Sequence, residues 1–428
     1  MSILEELQWR GLLHQTTGGD ALVEHLKTPG RIAYCGFDPT AESLTIGNLI
    51  PIMLLKHWQR AGHRPVVLMG GGTGLIGDPS GKDDERQLRT PEEIQGNVDA
   101  QKAIIARLVD FDGAADSATG AVLVDNAEWL TKLGFIEVLR DVGKHFSVNN
   151  MIQKDSIRDR LHNREQGISY TEFSYSLLQA YDFLYLRRER DCTVQIAGSD
   201  QYGNMVAGID LIRRELGSEA FAITAPLVTK ADGKKIGKTE TGAVWLSSDR
   251  TSPYAFYQFW INCTDDDVSN FLRWYTFLDR QEVEALEAEH AAAPHKRAAQ
   301  RRLAREVTRM LHGEEQLQKV EAATAALFGG DIKQLDDEML GQVFADVPSS
   351  DHAAETLEQD GVALVELLPE TTLASSKREA RQFLSGGAVS VNGQKVFADA
   401  RVGRQDLLHG RTILLRRGKK QWHATRWG

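Results

Sequence analysis

The sequence is poor in cysteine and has no long hydrophobic run. Its 428 residues include three cysteines, Cys35, Cys192 and Cys263, which are too scattered for a disulfide framework or for the ligand spacing of a zinc site. This usage favours a protein of the reducing cytoplasm. No apolar stretch approaches the roughly 20 residues that cross a bilayer, so we do not expect a membrane protein. The start, MSILEELQWRGLLHQTT, does not resemble a secretory signal.

The segment AESLTIGNLIPIM lacks the signatures of several enzyme classes at the point where a helix is predicted to begin. The apolar residues at helical spacing in and after it are Ile46, Leu49, Ile50, Met53 and Leu54. Gly47 and Asn48 stand at its start, without a Gly-rich phosphate loop, a serine nucleophile elbow or a histidine. The local sequence therefore indicates a polar helix start but does not identify its ligand.

The net charge of −10 conceals two oppositely charged parts. From Leu373 to Gly428 the chain has 12 lysines and arginines against 3 acidic residues, a local charge of +9, so the preceding residues carry −19. A basic end on an acidic body is typical of a module that binds a polyanion.

Three segments have the pattern of short buried strands that end near glycine, namely GRIAYCGFDPT, HRPVVLMGGGTGLIGDPSG and DCTVQIAGSDQYGN. Helical patterns follow them, and this alternation over about the first 225 residues predicts βαβ units in a parallel sheet. Ligands of such sheets bind at the carboxyl ends of the strands. Residues 34–38, 70–78 and 198–201 would lie there.

Beyond the predicted sheet, the pattern changes twice. Residues 252–327 are helical in character, as in DDVSNFLRWYTFL, whose apolar side chains repeat at helical spacing. An acidic stretch then has the character of a connector. The last segment, TLASSKREARQFLSGGAVSVNGQKVF, predicts a helix with a Gly-Gly stop and a hairpin around Asn392–Gly393.

Two polar patterns in the first part of the chain leave a structural and a functional interpretation open. In FSYSLLQAYDF, Tyr175, Gln179 and Asp182 share one helix face. That face is either a half-exposed surface or the wall of a pocket for a ligand with hydroxyl or ammonium groups. In GSDQYGN, Asp200 and Gln201 follow a strand and fit an ordinary turn as well as a binding site.

Lysines lie among glycines in KADGKKIGKTETG. They are Lys230, Lys234, Lys235 and Lys238. Most such stretches are solvated turns, but cations on a glycine-hinged loop also suit phosphoryl or adenylyl transfer, where charge develops on phosphate. Lys82 and Arg86 in SGKDDERQL form a similar pair, with a solvated helix start as the alternative.

Several motifs occur in a specific order along the chain: YCGFDPTAESL, GLIGDPSGK, GKHFSVN, EFSYSLLQAYDF, GSDQYGN and KIGKT. In this order and at these separations they closely resemble the bacterial tyrosyl-tRNA synthetases, which have the class I synthetase fold. The resemblance covers nearly the whole chain. The basic end resembles a small RNA-binding module that is shared with a ribosomal small-subunit protein.

The resemblance implies an α/β architecture with several domains. A Rossmann-like parallel sheet catalytic domain for ATP and tyrosine would cover 1–225, and a mobile loop of the KMSKS type with a connector would cover 226–248. A helical anticodon-side domain would follow over 249–330. An acidic linker, 331–360, would lead to a small basic α+β RNA-binding domain over 361–428.

The resemblance also implies a site for tyrosine. Tyr34 and Asp182 would hydrogen-bond its phenolic hydroxyl, and Gln195 and Gln201 would line the region of its carboxylate. The residues that would bind its ammonium group are Asp78, Tyr175 and Gln179. A buried polar site of this kind rejects phenylalanine, which has no hydroxyl to offer.

A second set of residues would bind ATP. Asp200 matches the acid that holds the ribose, while the backbone near Asp38 and the side chain of Thr40 fall where the family meets the phosphates. The full set that the resemblance places at ATP is Gly36, Asp38, Gly47, Asn48, Gly198, Asp200, Lys235 and Lys238.

The family's cationic groups can also be matched. Lys235 and Lys238 match the two lysines of the KMSKS loop, and Thr239 takes its last position. Lys82 and Arg86 resemble their helpers on the pyrophosphate. These cations would supply much of the catalysis, because charge accumulates on phosphate as the reaction proceeds.

The chain departs from the family at two places. Where the family has the tetrapeptide HIGH, this chain has Thr45, Ile46, Gly47 and Asn48, so both histidines are absent. Gly47 would let ATP approach the helix start, whose N–H groups favour phosphate, and Thr45 and Asn48 would supply short hydrogen-bonding side chains for catalysis. Tyr202 replaces the usual tryptophan after Asp-Gln.

The implied reaction has two steps. The carboxylate of tyrosine attacks the α-phosphate of ATP to give tyrosyl-adenylate and pyrophosphate, and a ribose hydroxyl at the 3′ end of tRNA(Tyr) then takes the acyl group. ATP with Mg²⁺ would be a substrate, and neither a tightly bound cofactor nor a protein-bound metal is implied. The resemblance further implies a homodimer.

Two other functions stay open at this stage. One is a synthetase for another aromatic amino acid, tryptophan above all, although Tyr34, Asp182 and the RNA-binding end favour tyrosine. The other is a paralogue that binds RNA but has lost amino-acid activation, which the replacements Thr45 and Asn48 make worth testing. The retained acids and lysines argue against that loss.

Overall fold

The chain forms two compact units. In this computed structural model the described residues are 2–77, 90–111, 118–153, 157–158, 168–233, 236–239, 242–327, 332–345, 347–358, 360–418 and 421–428. The two units are Met1–Thr251 with Trp260–Leu311, and Ser252–Phe259 with His312–Gly428. None of the helices in the described ranges is long and apolar enough to cross a membrane.

The first unit is built on a six-stranded sheet. Its strands are β1 Gln15–Thr16, β2 Ile32–Phe37, β3 Arg64–Met69, β4 Val122–Asp125, β5 Cys192–Gly198 and β6 Phe221–Ala225. They lie in the order β1-β6-β5-β2-β3-β4, with β2 to β6 parallel and β1 antiparallel to β6. The predicted parallel sheet of an α/β fold is therefore confirmed.

Helices pack on this sheet because its strands β2, β3, β5 and β6 are largely apolar and buried. The helices of the first unit are α1 Ile3–Trp9, α2 Asp20–Leu26, α3 Ile46–Arg60, α4 Pro91–Ile105, α5 Ala127–Leu130, α6 Phe135–Glu137, α7 Val148–Ile152, α8 Tyr170–Arg190, α9 Tyr202–Leu216, α11 Asp265–Tyr275 and α12 Arg280–Ala292. Two further helices, α10 Pro253–Ile261 and α13 Ala298–Leu327, contain residues of both units. A π-helical turn, Val138–Val142, follows α6. The apolar face predicted for residues 46–54 is buried in α3. Side chains of β2 and β3 pack with Phe183 and Leu184 of α8 in one core.

The second unit contains the basic end of the chain. Its strands are β9 Ser349–His352, β10 Val362–Ala363, β11 Val389–Val391, β12 Gln394–Lys395, β13 Arg401–Val402, β14 Thr412–Arg417 and β15 Gln421–Trp427. Five of them form a sheet in the order β12-β11-β14-β15-β9. The helices beside them are α14 Asp337–Val343, α15 Leu364–Leu367 and α16 Lys377–Ser385.

The predicted helix and hairpin of this end are present. Ser376 caps α16, because its hydroxyl accepts the N–H of Glu379, and Gly386 ends the helix. Asn392 and Gly393 turn between β11 and β12 with φ angles of +47° and +87°. Positive φ at both central positions is what a tight hairpin turn requires.

The domain boundaries differ from the sequence expectation. Residues 331–360, expected as an acidic linker, include α14 and β9, and β9 pairs in parallel with β15 through Ala424 and Ser349. Residues 260–311, expected within a separate helical domain, group with the first unit. The acidic composition suggested a connector, but the pairing of β9 with a strand about 75 positions later is invisible to local pattern.

Candidate active site

The polar segments gather at one edge of the first sheet. Strands β2 and β5 are neighbours in the middle of the sheet. Strands β3 and β4 follow on the side of β2, and β6 follows on the side of β5, so the strand order reverses between β2 and β5. The loops after the four strands β2, β3, β4 and β5 carry Asp38, Thr73, Asn126 and Asp200, respectively. Such a reversal opens the crevice in which α/β sheets bind ligands.

Asp182 lies buried on the helix α8. The helix begins after Ser169, whose hydroxyl accepts the N–H of Glu172, and this register turns Asp182 toward the sheet. The carboxylate accepts hydrogen bonds from Asn126 Nδ2 at 2.9 Å and from Trp129 Nε1 at 2.8 Å. Burial raises the pKa of Asp182 to about 7, and these two hydrogen bonds act in the opposite direction. The carboxyl group is therefore held in place but poised to titrate near neutral pH.

Tyr34 brings a hydroxyl to the same site from strand β2. Its side chain is 1% exposed, and its Oη has no hydrogen-bond partner among the described residues. Burial, with the nearby charge of Asp182, raises the pKa of Tyr34 well above its usual value, so the group remains a donor. Its register neighbour on β5 is Gln195, whose buried Oε1 likewise has no hydrogen-bond partner within the described ranges. Buried polar atoms of this kind are costly unless a ligand supplies their partners.

Asn126 and Trp129 were not identified from the sequence. Asn126 Oδ1 accepts the N–H of Gly72 at 2.8 Å, and its Nδ2 donates to Thr73 Oγ1 at 3.0 Å as well as to Asp182. Trp129 stacks on Tyr185, with 4.2 Å between ring centroids. The only sequence signal was a polar residue directly after the short strand β4, which in a parallel sheet ends at the same edge.

A second hydrogen-bonded group surrounds Asp38. Tyr175 Oη donates to its carboxylate oxygens at 3.3 Å, and Thr73 Oγ1 donates at 3.4 Å. The N–H of Thr40 donates to the carbonyl of Asp38 at 2.8 Å. Tyr175 was expected at the ammonium group of tyrosine and Asp38 at ATP. The structure joins the two residues by a hydrogen bond.

A third group joins three of the predicted residues through one that the sequence did not single out. Asn204 Nδ2 donates to Gln179 Oε1 at 3.1 Å and to Gln201 Oε1 at 3.2 Å. Gln201 Nε2 donates in turn to Asp200 at 3.3 Å. Gly198 leaves room for that acid, because a Cβ there would lie 2.6 Å from Asp200 Oδ1. Asn204 stands in the first turn of α9, one turn after the predicted Gln201.

The start of α3 shows how the chain arranges the segment LTIGN. The N–H and the hydroxyl of Thr45 both donate to Asn48 Oδ1, at 3.0 and 2.8 Å. A backbone N–H can only donate, so the carbonyl oxygen of Asn48 faces Thr45 and its NH₂ group points away. Asn48 is exposed, and a Cβ at Gly47 would meet nothing closer than Thr45 Oγ1 at 3.7 Å. The helix start therefore offers amide donors and open space.

The lysine segment lies against this helix start. The N–H of Ile46 donates to the carbonyl of Val244 at 3.2 Å, and the N–H of Val244 donates to the carbonyl of Gly237 at 2.8 Å. Thr45 also forms an antiparallel bridge with Trp245. A short antiparallel pair, β7 Lys238–Thr239 with β8 Gly242–Ala243, follows Gly237. Residues far apart in sequence are thereby joined through backbone hydrogen bonds.

Some predicted residues cannot be placed. Asp78, Lys82, Arg86, Lys234 and Lys235 lie outside the described residues, as does the side chain of Lys238. The roles expected for them stay predictions.

Comparison with known proteins gives consistent matches. Residues 27–329 match the family model of class I tRNA synthetases (W and Y), and residues 339–425 match the C-terminal domain model of SYY-like tyrosine–tRNA ligases. The tyrosine–tRNA ligase of Roseiflexus castenholzii is 50% identical over 427 residues, 99% of both chains. That of Geobacillus kaustophilus is 49% identical over 429 residues, the full length of both.

A solved structure with a similar fold is also known. A C-terminally truncated mitochondrial tyrosyl-tRNA synthetase from Aspergillus nidulans is 30% identical and has a TM-score of 0.68, covering 76% of this chain and 94% of its own.

Proposed function

Because this chain belongs to the tyrosine–tRNA ligases of the class I synthetases, we propose that Tyr34 and Asp182 form the phenol site for L-tyrosine. The observation that carries this assignment is the buried hydroxyl of Tyr34, which lies beside a buried carboxylate and finds no partner in the part of the chain that the structure describes. The phenol of tyrosine would donate to Asp182 and accept from Tyr34, so that the buried hydroxyl of Tyr34 gains a partner. Phenylalanine or tryptophan would leave the hydroxyl of Tyr34 without a partner.

The reaction needs little covalent help from the protein. The carboxylate of tyrosine is already a nucleophile, and it attacks the α-phosphorus of ATP while the bond to the pyrophosphate oxygen breaks. In the second step the 3′-terminal ribose hydroxyl of the tRNA attacks the acyl carbon of tyrosyl-adenylate. AMP leaves with the bonding electrons, and the proton of the hydroxyl passes to the departing phosphate or to solvent. Positioning and electrostatic stabilisation of charged oxygens therefore carry the rate. Magnesium would enter with ATP, as part of the substrate.

The described residues divide this work among them. The phenol end of tyrosine lies at Asp182, and the groups around Asp38 and Asn204 lie at the carboxyl ends of β2 and β5, where we place the ammonium group and ATP. The helix start at Thr45, Gly47 and Asn48 faces the phosphates in this assignment.

Exchange of labelled pyrophosphate into ATP tests the function directly. We expect fast exchange with tyrosine and only very slow exchange with tryptophan or phenylalanine. Exchange with tryptophan instead would favour the nearest enzymatic alternative. A protein that exchanges with none of the three yet binds tRNA would be the RNA-binding paralogue.

Replacing Asn48 with alanine is expected to lower the exchange rate about tenfold, or about 1.4 kcal/mol. The lost NH₂ donors would contact phosphate oxygens mainly as charge develops there. Thr45 acts by holding the side chain of Asn48, so Thr45→Val should lower the exchange rate less than Asn48→Ala does. Adding Thr45→Val to Asn48→Ala should lower the rate no further. Thr45→Ser keeps the hydroxyl and should retain the wild-type rate. Single-turnover rates with separate tyrosine titrations decide this. Weaker tyrosine binding with an unchanged chemical step would make the helix start a structural cap.

We also propose that two copies of the chain associate. Phe135, Ile136 and Val148 are 67%, 71% and 56% exposed, and Leu139 and Ile152 extend this apolar surface over α6, the π-helical turn and α7. Exposed apolar residues clustered in this way mark an interface, and a two-fold dimer is the commonest assembly. The three cysteines are buried and unpaired, which suits the cytoplasm that we propose as its compartment.

Ile136→Asp is expected to convert this dimer to monomer, because it places a charge in an apolar contact. Sedimentation equilibrium measures the change. Val23→Asp, at an exposed apolar residue of α2, is the matched control and should leave the dimer intact. A wild-type chain that sediments as a monomer would refute the proposal.

A further inference from the structure

One large apolar side chain of the second unit stands out as exposed. Phe397 is 63% exposed, whereas the other large apolar side chains described in that unit are largely covered. It follows strand β12 in the basic end of the chain. The N–H of Val396 donates to the carbonyl of Val389 at 3.1 Å, so pairing with β11 continues beyond Lys395. Val396 packs against the core, and alternation turns Lys395 and Phe397 outward.

The phenyl ring lies over the turn that ends helix α16. A Cβ at Gly387 would be 3.2 Å from Phe397 Cε1, and Gly387 itself has a φ of +61°. Glycine at this position therefore serves both the backbone and the close approach of the ring. The ring is supported from below by the turn and exposed on its other side.

A basic row on α16 leads to this ring. Arg378, Arg381 and Ser385 recur at i, i+3 and i+7 and are all exposed, so they share one helix face that ends beside Gly387. Within the described part of the chain neither arginine forms an ion pair, whereas the adjacent Lys377 pairs with Glu366. The two guanidinium groups therefore remain available for an anionic partner.

We propose that Phe397 is a stacking platform for an unpaired base of the bound tRNA. Arg378, Arg381 and Lys395 would contact the phosphates on either side of that base. An exposed ring among unpaired cations suits single-stranded RNA, because an unpaired base can leave the helix and stack while its backbone stays charged. An apolar protein surface would leave the cations unpaired, and a duplex, whose bases are stacked inside it, would leave the ring uncovered. This inference rests on the proposed function of the chain as a tRNA ligase.

The test compares stacking and charge in the full-length protein. Phe397→Ala should weaken binding of tRNA(Tyr) by about tenfold, the usual range for loss of one base–aromatic stack. The slope of log Kd against log salt should not change, because no ion contact is lost. Arg381→Gln should instead reduce that slope by about one. Val23→Ala, an exposed apolar change in the first unit, is the control and should bind like wild type.

Phe397→Trp supplies a second measurement, the fluorescence of the indole, which should not respond to tRNA if the ring at position 397 were only structural. It should restore affinity, and a base stacked on the indole should quench its fluorescence relative to the same variant without tRNA. Wild-type affinity in Phe397→Ala, or no quenching in Phe397→Trp, would overturn the proposal. A change of oligomeric state in Phe397→Ala would also overturn it, by making the ring a protein contact.

Tyrosine-dependent pyrophosphate exchange distinguishes a failure of this inference from a failure of the proposed function on which it rests. Every variant should exchange at the wild-type rate, because Phe397 lies in the second unit and the adenylate site in the first. Normal exchange together with unaltered tRNA binding in Phe397→Ala would refute the stacking role of Phe397 and leave the proposed function standing. If the wild-type chain does not exchange pyrophosphate into ATP with tyrosine, the proposed function itself is refuted.

Discussion

Replacing Asp182 with alanine is expected to lower kcat/KM for tyrosine activation by at least about 100-fold, or about 3 kcal/mol, which is the range for a lost hydrogen bond to a charged group in a buried site. The phenol of tyrosine would enter the pocket without its acceptor. The donors on Asn126 and Trp129 would lose their acceptor too. Phenylalanine makes no use of the carboxylate, so its slow activation should hardly change.

The ratio of the two kcat/KM values, measured by pyrophosphate exchange, is the deciding quantity. Discrimination against phenylalanine should collapse in Asp182→Ala and survive in part in Asp182→Asn, which keeps an acceptor oxygen in place. Thermal unfolding of each variant shows whether the fold is intact. An Asp182→Ala enzyme that still prefers tyrosine strongly would show that the phenol is bound elsewhere.

The raised pKa of Asp182 predicts a pH dependence with a definite sign. In the proposed site the ionised carboxylate of Asp182 would accept the phenol hydroxyl, and the ionised fraction falls as the pH drops below about 7. Tyrosine affinity should therefore fall about tenfold between pH 8 and pH 6, in proportion to the competent fraction of the enzyme. Asp182→Asn should show a flat profile over the same range. A wild-type profile without this fall would mean that Asp182 titrates well below neutral pH.

Removing residues 331–428 is expected to leave tyrosine-dependent exchange largely intact and to lower tRNA charging on the order of 100-fold or more, because several phosphate contacts are lost together. The proposed adenylate site lies in the first unit, and the basic segment Leu373–Gly428, with its local charge of +9, lies in the removed part. The cut falls between the two matched family models, at 27–329 and 339–425. A cut at 361 would instead leave β9 in the shortened chain without its partner strand β15.

Charging of tRNA(Tyr) and pyrophosphate exchange should be measured on the same preparations over a range of salt. The full-length chain should lose charging activity steeply as salt rises, whereas the truncated chain should start lower and depend less on salt. Equal loss of both activities on truncation would show that the basic end supports the adenylate site.

Local periodicity explains why part of the fold could be read from the chain. The buried face of α3, the helix α16 with the hairpin at Asn392, and the strands that end at Phe37 and Gly198 depend on neighbouring residues, whose spacing is visible in the sequence. The order of the motifs likewise indicated the family. Tyr34 and Asp182 were named as partners on that resemblance.

The sequence alone therefore determined the secondary structure of these segments, the parallel sheet and the family. Only the tertiary structure decided that Asn126 and Trp129 hold Asp182, that β9 joins the sheet of β15, and that the NH₂ of Asn48 faces away from Thr45. The physical reason is that hydrogen-bond partners and burial depend on where distant segments meet. The pKa of Asp182 follows from that burial, and no pattern of neighbours along the chain contains it.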